Sequence, residues 1–171
     1  MSDGFDLKPI SQAAIPLALE KAERYRLLNE PMQAASICED VLRVEPDNAA
    51  ARVALILALS DEFAGAEQTA AMTRARTLLP GLPTEYERAY YTGILAERRA
   101  LAQLEQGGVS AGFSAYEGLR EAMAWFEKAE AVRPPDNDDA ILRWNACARV
   151  LMRNPHLHAR AEERDMPLAL E

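Results

Sequence analysis

Apolar and polar residues alternate along this chain with the period of a helix. Within Glu121–Pro134, Ala122, Phe126 and Ala129 stand at offsets 0, 4 and 7, and Pro134 follows at offset 12. Residues four and seven apart share one face of a helix. A proline cannot continue a helix interior, so it marks the end of the run. The same frame occurs at Ala34, Cys38, Val41 and Pro46, and at Gln68, Met72, Ala75 and Pro80. Pro46 and Pro80 are 34 residues apart; Pro80 and Pro134 are 54 apart, which exceeds that spacing by 20.

The rest of the chain reads as helices around these frames. Residues 1–12 mix Gly4 and Pro9 with scattered apolar residues and read as a loose or capping segment. Pro16 suits the first turn of a helix that runs to about Leu28, with Ala18, Ala22, Tyr25 and Leu28 on one face. Asn29–Glu30 is a turn, and Pro31 opens a second helix ending near Val44. Asp47 and Asn48 are helix-start residues for about Ala49–Glu62, which is apolar almost all round and so is expected to be buried on more than one side. Its partner spans about Ala66–Leu79. Thr84 with Glu87 forms a capping box for a helix reaching about Gln106, and Ser114 with Glu117 forms a second for the helix ending at Val132. The extra residues of this third unit either lengthen both helices, by about 10 Å at 1.5 Å per residue, or form a loop at Gly107–Phe113. A last helix, about Ala140–Met152, carries Trp144 and Cys147. Asn154 and Pro155 then open a short helix, and residues 165–171 trail off.

A period near 34 with small, bulky and small residues followed by proline resembles the second helix of a tetratricopeptide repeat. The resemblance covers about residues 15–152. No unit has the full Trp-Leu-Gly-Tyr set of the first helix, and Gln68 stands where alanine is usual. It implies an all-α fold: a right-handed superhelical array of antiparallel helix pairs in a single domain. The units are about 15–48, 49–82 and 83–135, the third with an extended hairpin, and a partial one at 136–164. In that family the first helices line a concave groove that binds a peptide. Carried onto this chain, the groove positions are Leu19, Glu23 and Arg26, then Val53 and Leu57, then Tyr90, Tyr91, Ile94 and Arg98, and finally Trp144. This lining is mainly apolar and aromatic. The subfamily that grips chaperone C-terminal carboxylates uses Lys and Asn where this chain has Leu19, Glu23 and Ala54, so that specificity is not expected. An aromatic-lined groove suits a peptide with apolar anchors. Taken singly, Tyr90, Ile94 and Trp144 suit an ordinary core between units better than a groove.

Composition narrows the function classes. Nearly half of the 171 residues are hydrophobic, which is enough for a core. The net charge of −8 disfavours nucleic acid and anionic membrane surfaces as partners. It is compatible with a basic or amphipathic protein partner. Cys38 and Cys147 read as buried thiols in a reducing compartment. With no apolar run at the start and none of membrane-spanning length, a cytoplasmic location is expected. His156 and His158 point to different sides of a helix, and the glycines at 107, 108 and 112 lack a phosphate-loop context, so neither a metal, a cofactor nor an enzyme activity is expected. The reading is therefore a protein-interaction scaffold or adaptor. Two alternatives stand beside it: a small acidic secretion-type chaperone, and a homo-oligomer assembled through an end helix or the tail. Met166, Leu168 and Leu170 make that tail either a ligand for the groove or a disordered terminus.

Overall fold

A computed structural model describes residues 4–159. Among them are seven α-helices and no strand: α1 (Ile15–Leu27), α2 (Pro31–Val44), α3 (Ala49–Asp61), α4 (Gln68–Leu78), α5 (Glu85–Gln106), α6 (Ala111–Ala131) and α7 (Asp139–Arg153). Short 3-10 turns precede α1, at Gln12–Ala14, and follow α4, at Leu79–Gly81. The described residues are all-helical in their regular structure, as the pattern predicts.

Local chemistry sets most of the boundaries. Asn29 adopts φ of 59° after α1. The Asn29 amide donates to the Arg26 carbonyl at 3.0 Å and the Glu30 amide to the Tyr25 carbonyl at 2.8 Å. This paired arrangement satisfies the free carbonyls of the helix end, and asparagine tolerates the left-handed conformation it needs. Pro31 then starts α2, where its missing amide hydrogen has no partner to lose. Asn48 caps α3 by accepting from the Ala51 amide at 2.8 Å. The Thr84–Glu87 capping box is present in both directions, each backbone amide held at 3.1 Å by the other residue's side chain.

Two boundaries differ from the sequence expectation. Ser114 does not cap α6; it lies inside the helix, and its amide donates to the Ser110 carbonyl at 3.0 Å. Gly107 and Gly108 adopt φ of 71° and 110°, a conformation glycine reaches without a Cβ clash, and so reverse the chain within residues 107–110. The extra residues of the third unit therefore lengthen the helices, to 22 residues in α5 and 21 in α6. Beyond α7, residues 154–159 are not helical. They turn back instead, with the Leu157 amide on the Asn154 carbonyl at 2.9 Å. Leu157 is buried, and the rings of Phe113 and His158 meet edge to face at 5.2 Å, so this segment covers the start of α6. The tail positions 165–171 lie outside the described residues.

Each helix packs against the next, and α1 against α3 and α3 against α5 in addition. The repeated frame is the core. Ala34, Cys38 and Val41, and likewise Ala122, Phe126 and Ala129, are fully buried, and Met72 and Ala75 are buried too. Gln68, the polar exception, is half-exposed. α5 and α6 cross closely because glycines stand where they meet. A Cβ on Gly93 would lie 2.6 Å from the Phe126 ring, and one on Gly118 would lie 2.8 Å from Ala100 Cβ. No described helix is long and apolar enough to cross a membrane.

Candidate functional site

α1 and α3 run side by side and leave a groove of about 340 Å³ between them. α1 supplies Leu19, Glu23 and Arg26, which stand at offsets 0, 4 and 7 and so share one face. α3 supplies Val53, Ala54 and Leu57. The floor is apolar. Glu20 and Glu23 stand on one rim and Pro16 closes the start.

The far end of this groove is closed by charge. Arg26 Nε donates to Asp61 Oδ2 at 2.8 Å, and its Nη2 to Oδ1 at 3.4 Å. Arg98 of α5 bonds the same carboxylate from the other side. Arg98 Nη1 also donates to Ser60 Oγ at 2.6 Å, and the Ser60 hydroxyl in turn donates to the Leu57 carbonyl at 2.7 Å. One carboxylate thus joins α1, α3 and α5. It sits at the C-terminal end of α3, where the helix dipole is unfavourable to an anion. Two guanidinium groups offset that.

Sequence-derived site positions divide accordingly. Leu19, Glu23, Arg26, Val53 and Leu57 meet in the α1/α3 groove, and Arg98 anchors its end. The others do not line it. Ile94 is 2 % exposed and belongs to the core between α5, α6 and α7. Tyr90 and Tyr91 are half-buried and part of an aromatic cluster. Tyr86 stacks on Tyr90 at 5.6 Å, and Tyr90 meets Tyr91 edge to face at 5.1 Å and Phe126 at 5.9 Å. Burial pushes the phenols of Tyr86 and Tyr91 up to about 12, and that of Tyr90 upward as well. All three are neutral donors near neutral pH. The Tyr86 hydroxyl uses that proton to bond Asn137 Oδ1 at 3.0 Å. Trp144 turns to α6, where its indole nitrogen donates to Glu127 at 2.9 Å. Helix α7 therefore presents this ring to its hairpin partner rather than to a groove shared with α1 and α3.

Two features escape a reading of sequence. The first is Asp61, the shared counter-ion. The second is Glu97, a carboxylate only 4 % exposed. Arg143 Nε lies 3.3 Å from Glu97 Oε2, near enough for an ion pair but not aligned as a hydrogen bond, and Oε2 has no other partner among the described residues. Burial pushes the Glu97 carboxyl up; Arg143, Arg98 and a hydrogen bond with the Cys147 thiol pull it part of the way back. The helical register held one signal, since Glu97 lies three residues from Ile94 on α5 and thus on the same inward face.

Chemistry elsewhere is sparse. Cys38 and Cys147 are buried, free thiols. Among the described residues no group of three His, Cys, Asp or Glu could hold a metal ion. No protein-family model matches the sequence, and neither a curated protein nor a solved structure matches it.

Proposed function

We propose that this protein is an interaction scaffold. It acts by binding a peptide segment of another protein rather than by catalysis, and its helix pairs form a tetratricopeptide-like superhelical array. The observation that carries the reading is convergence. Five positions chosen from two units of the repeat pattern, Leu19, Glu23, Arg26, Val53 and Leu57, line one groove. Its apolar floor suits one or two aliphatic or aromatic anchors of a partner. Its acidic rim at Glu20 and Glu23 suits a segment that is basic towards one end. The apolar surface there is small, so affinity for a short segment would be modest, and specificity would come from the anchors.

The test is affinity purification of the full chain from its native cell, with Leu19→Asp and Val53→Asp compared against Met152→Ala at an exposed position of α7. A partner recovered with the parent and with Met152→Ala, but lost from both groove variants while their circular dichroism is unchanged, supports the reading. Equal recovery from all four rejects it.

A further inference from the structure

A second groove, of about 350 Å³, lies between α2 and α4 and over the end of α3. It is a separate surface. α3 turns Val53, Ala54 and Leu57 to the first groove and Ala58 and Leu59 to this one, with Glu62 just past its end, and those two faces are roughly 140° apart at 100° per residue. Its walls share one spacing. α2 contributes Met32, Ala35, Ser36 and Glu39, and across from it stand Glu67, the residue just before α4, and Ala70, Ala71 and Arg74 of α4. Both sets stand at offsets 0, 3, 4 and 7, which is a continuous stripe along a helix.

We propose that this α2/α4 groove docks a basic amphipathic helix of a partner protein. Alanines on both walls leave depth between two parallel ridges, and helices pack by seating the side chains of one between such ridges. The stripe is about two helical turns long, enough for two or three apolar anchors. Met32, 74 % exposed at the lip, has the flexible thioether side chain that adapts to such anchors. Charge selects the sign of the occupant. Glu39 is spent on Arg74, with which it pairs across the groove. Glu62 and Glu67 have no ion pair among the described residues. A second copy of this chain is a poor occupant because its net charge is −8, and so is its own terminal Asp165–Glu171 stretch, which is anionic.

The probe is a fluorescent Leu/Lys peptide with leucines at helical a/d-like spacing, titrated by anisotropy against the full chain. A peptide of the same composition in scrambled order and a Leu/Glu peptide serve as comparisons. Tight binding of the amphipathic Leu/Lys peptide alone is expected. It should weaken about tenfold in Glu62→Gln/Glu67→Gln and in Ala70→Arg, but not in Glu20→Gln/Glu23→Gln, which removes the same charge from the first groove. The methyl resonance of Met32 should shift on binding while that of buried Met123 stays. Equal binding of all three peptides, equal loss in both double variants, an unmoved Met32 methyl, or a concentration-dependent dimer closing this face would each overturn the proposal. Loss in Glu20→Gln/Glu23→Gln alone would place the peptide in the first groove, overturning this inference and leaving the scaffold reading intact.

Discussion

Arg26 on α1 and Asp61 at the end of α3 are joined across the groove by a 2.8 Å hydrogen bond from Nε to Oδ2. The same carboxylate takes Arg98 from α5, so a single residue sets the spacing of three helices that are far apart in sequence.

Asp61→Asn should therefore loosen more than one contact. The amide keeps one acceptor, Oδ1, but loses the charge that holds two partly buried guanidinium groups and replaces the Oδ2 that accepts from Arg26 Nε with a donor. A loss of about 1–2 kcal/mol in urea denaturation is expected, between the value of an exposed ion pair and that of a buried charged hydrogen bond. The same variant should show less dependence of stability on salt than the parent. A change within error in both would show that the triad holds nothing.

Glu97 makes stability depend on pH in a stated direction. Its folded-state carboxyl is raised above the ordinary value of 4.5 by burial. The contribution of this residue is then fully present below 4.5 and is lost as pH rises through the folded value, because the buried site disfavours the anion. Glu97→Gln mimics the protonated form. Its melting temperature should match the parent's in acid and rise relative to it as the pH is taken above 4.5 towards neutral. A variant less stable than the parent at neutral pH, but equal in acid, would mean that the Arg143 pairing outweighs desolvation.

Gly118→Ala tests the close approach of α5 and α6. The added methyl carbon would lie 2.8 Å from Ala100 Cβ, so the two helices must separate. Overpacking of this kind costs about 1–3 kcal/mol, although alanine is the better helix former. Ala100→Gly should recover part of that loss in the double variant. Additive losses in a double-mutant cycle would show that the two residues do not touch in solution.

Both thiols should be inert in the folded chain. Burial, the largest cause, pushes Cys38 up to about 11 and Cys147 up to about 12. Alkylation by iodoacetamide near neutral pH should be slower than in denaturant by on the order of 100-fold, since the thiolate is the nucleophile and must first be exposed. Rapid modification of either thiol in native buffer would contradict its burial.

The sequence by itself determined the elements and the core face of each. Ala34, Cys38, Val41, Ala122, Phe126 and Ala129 could be named as buried because a helix repeats every 3.6 residues, and a single face must leave water. Asn29, Pro31, Asn48 and the Thr84–Glu87 box could be named as boundaries because each acts on backbone groups within a few residues. Even here the signal fails where two local choices compete. Ser114 has the residues of a capping box, but the glycine turn at 107–110 lets α6 begin before it.

What only the tertiary structure decided is which faces meet and at what rotation. The repeat pattern assigns both Trp144 and Leu19 to the groove, yet one packs on Glu127 of its hairpin partner and the other borders a groove. Arg26, Asp61 and Arg98 are legible as surface charges, but their meeting on one carboxylate depends on the crossing of α1, α3 and α5. The groove between α2 and α4 arises because neither helix has bulk at Ala35, Ala70 and Ala71 to fill the space the other leaves. Such relationships follow from the interdigitation of side chains across helices dozens of residues apart. No periodicity within one helix encodes them.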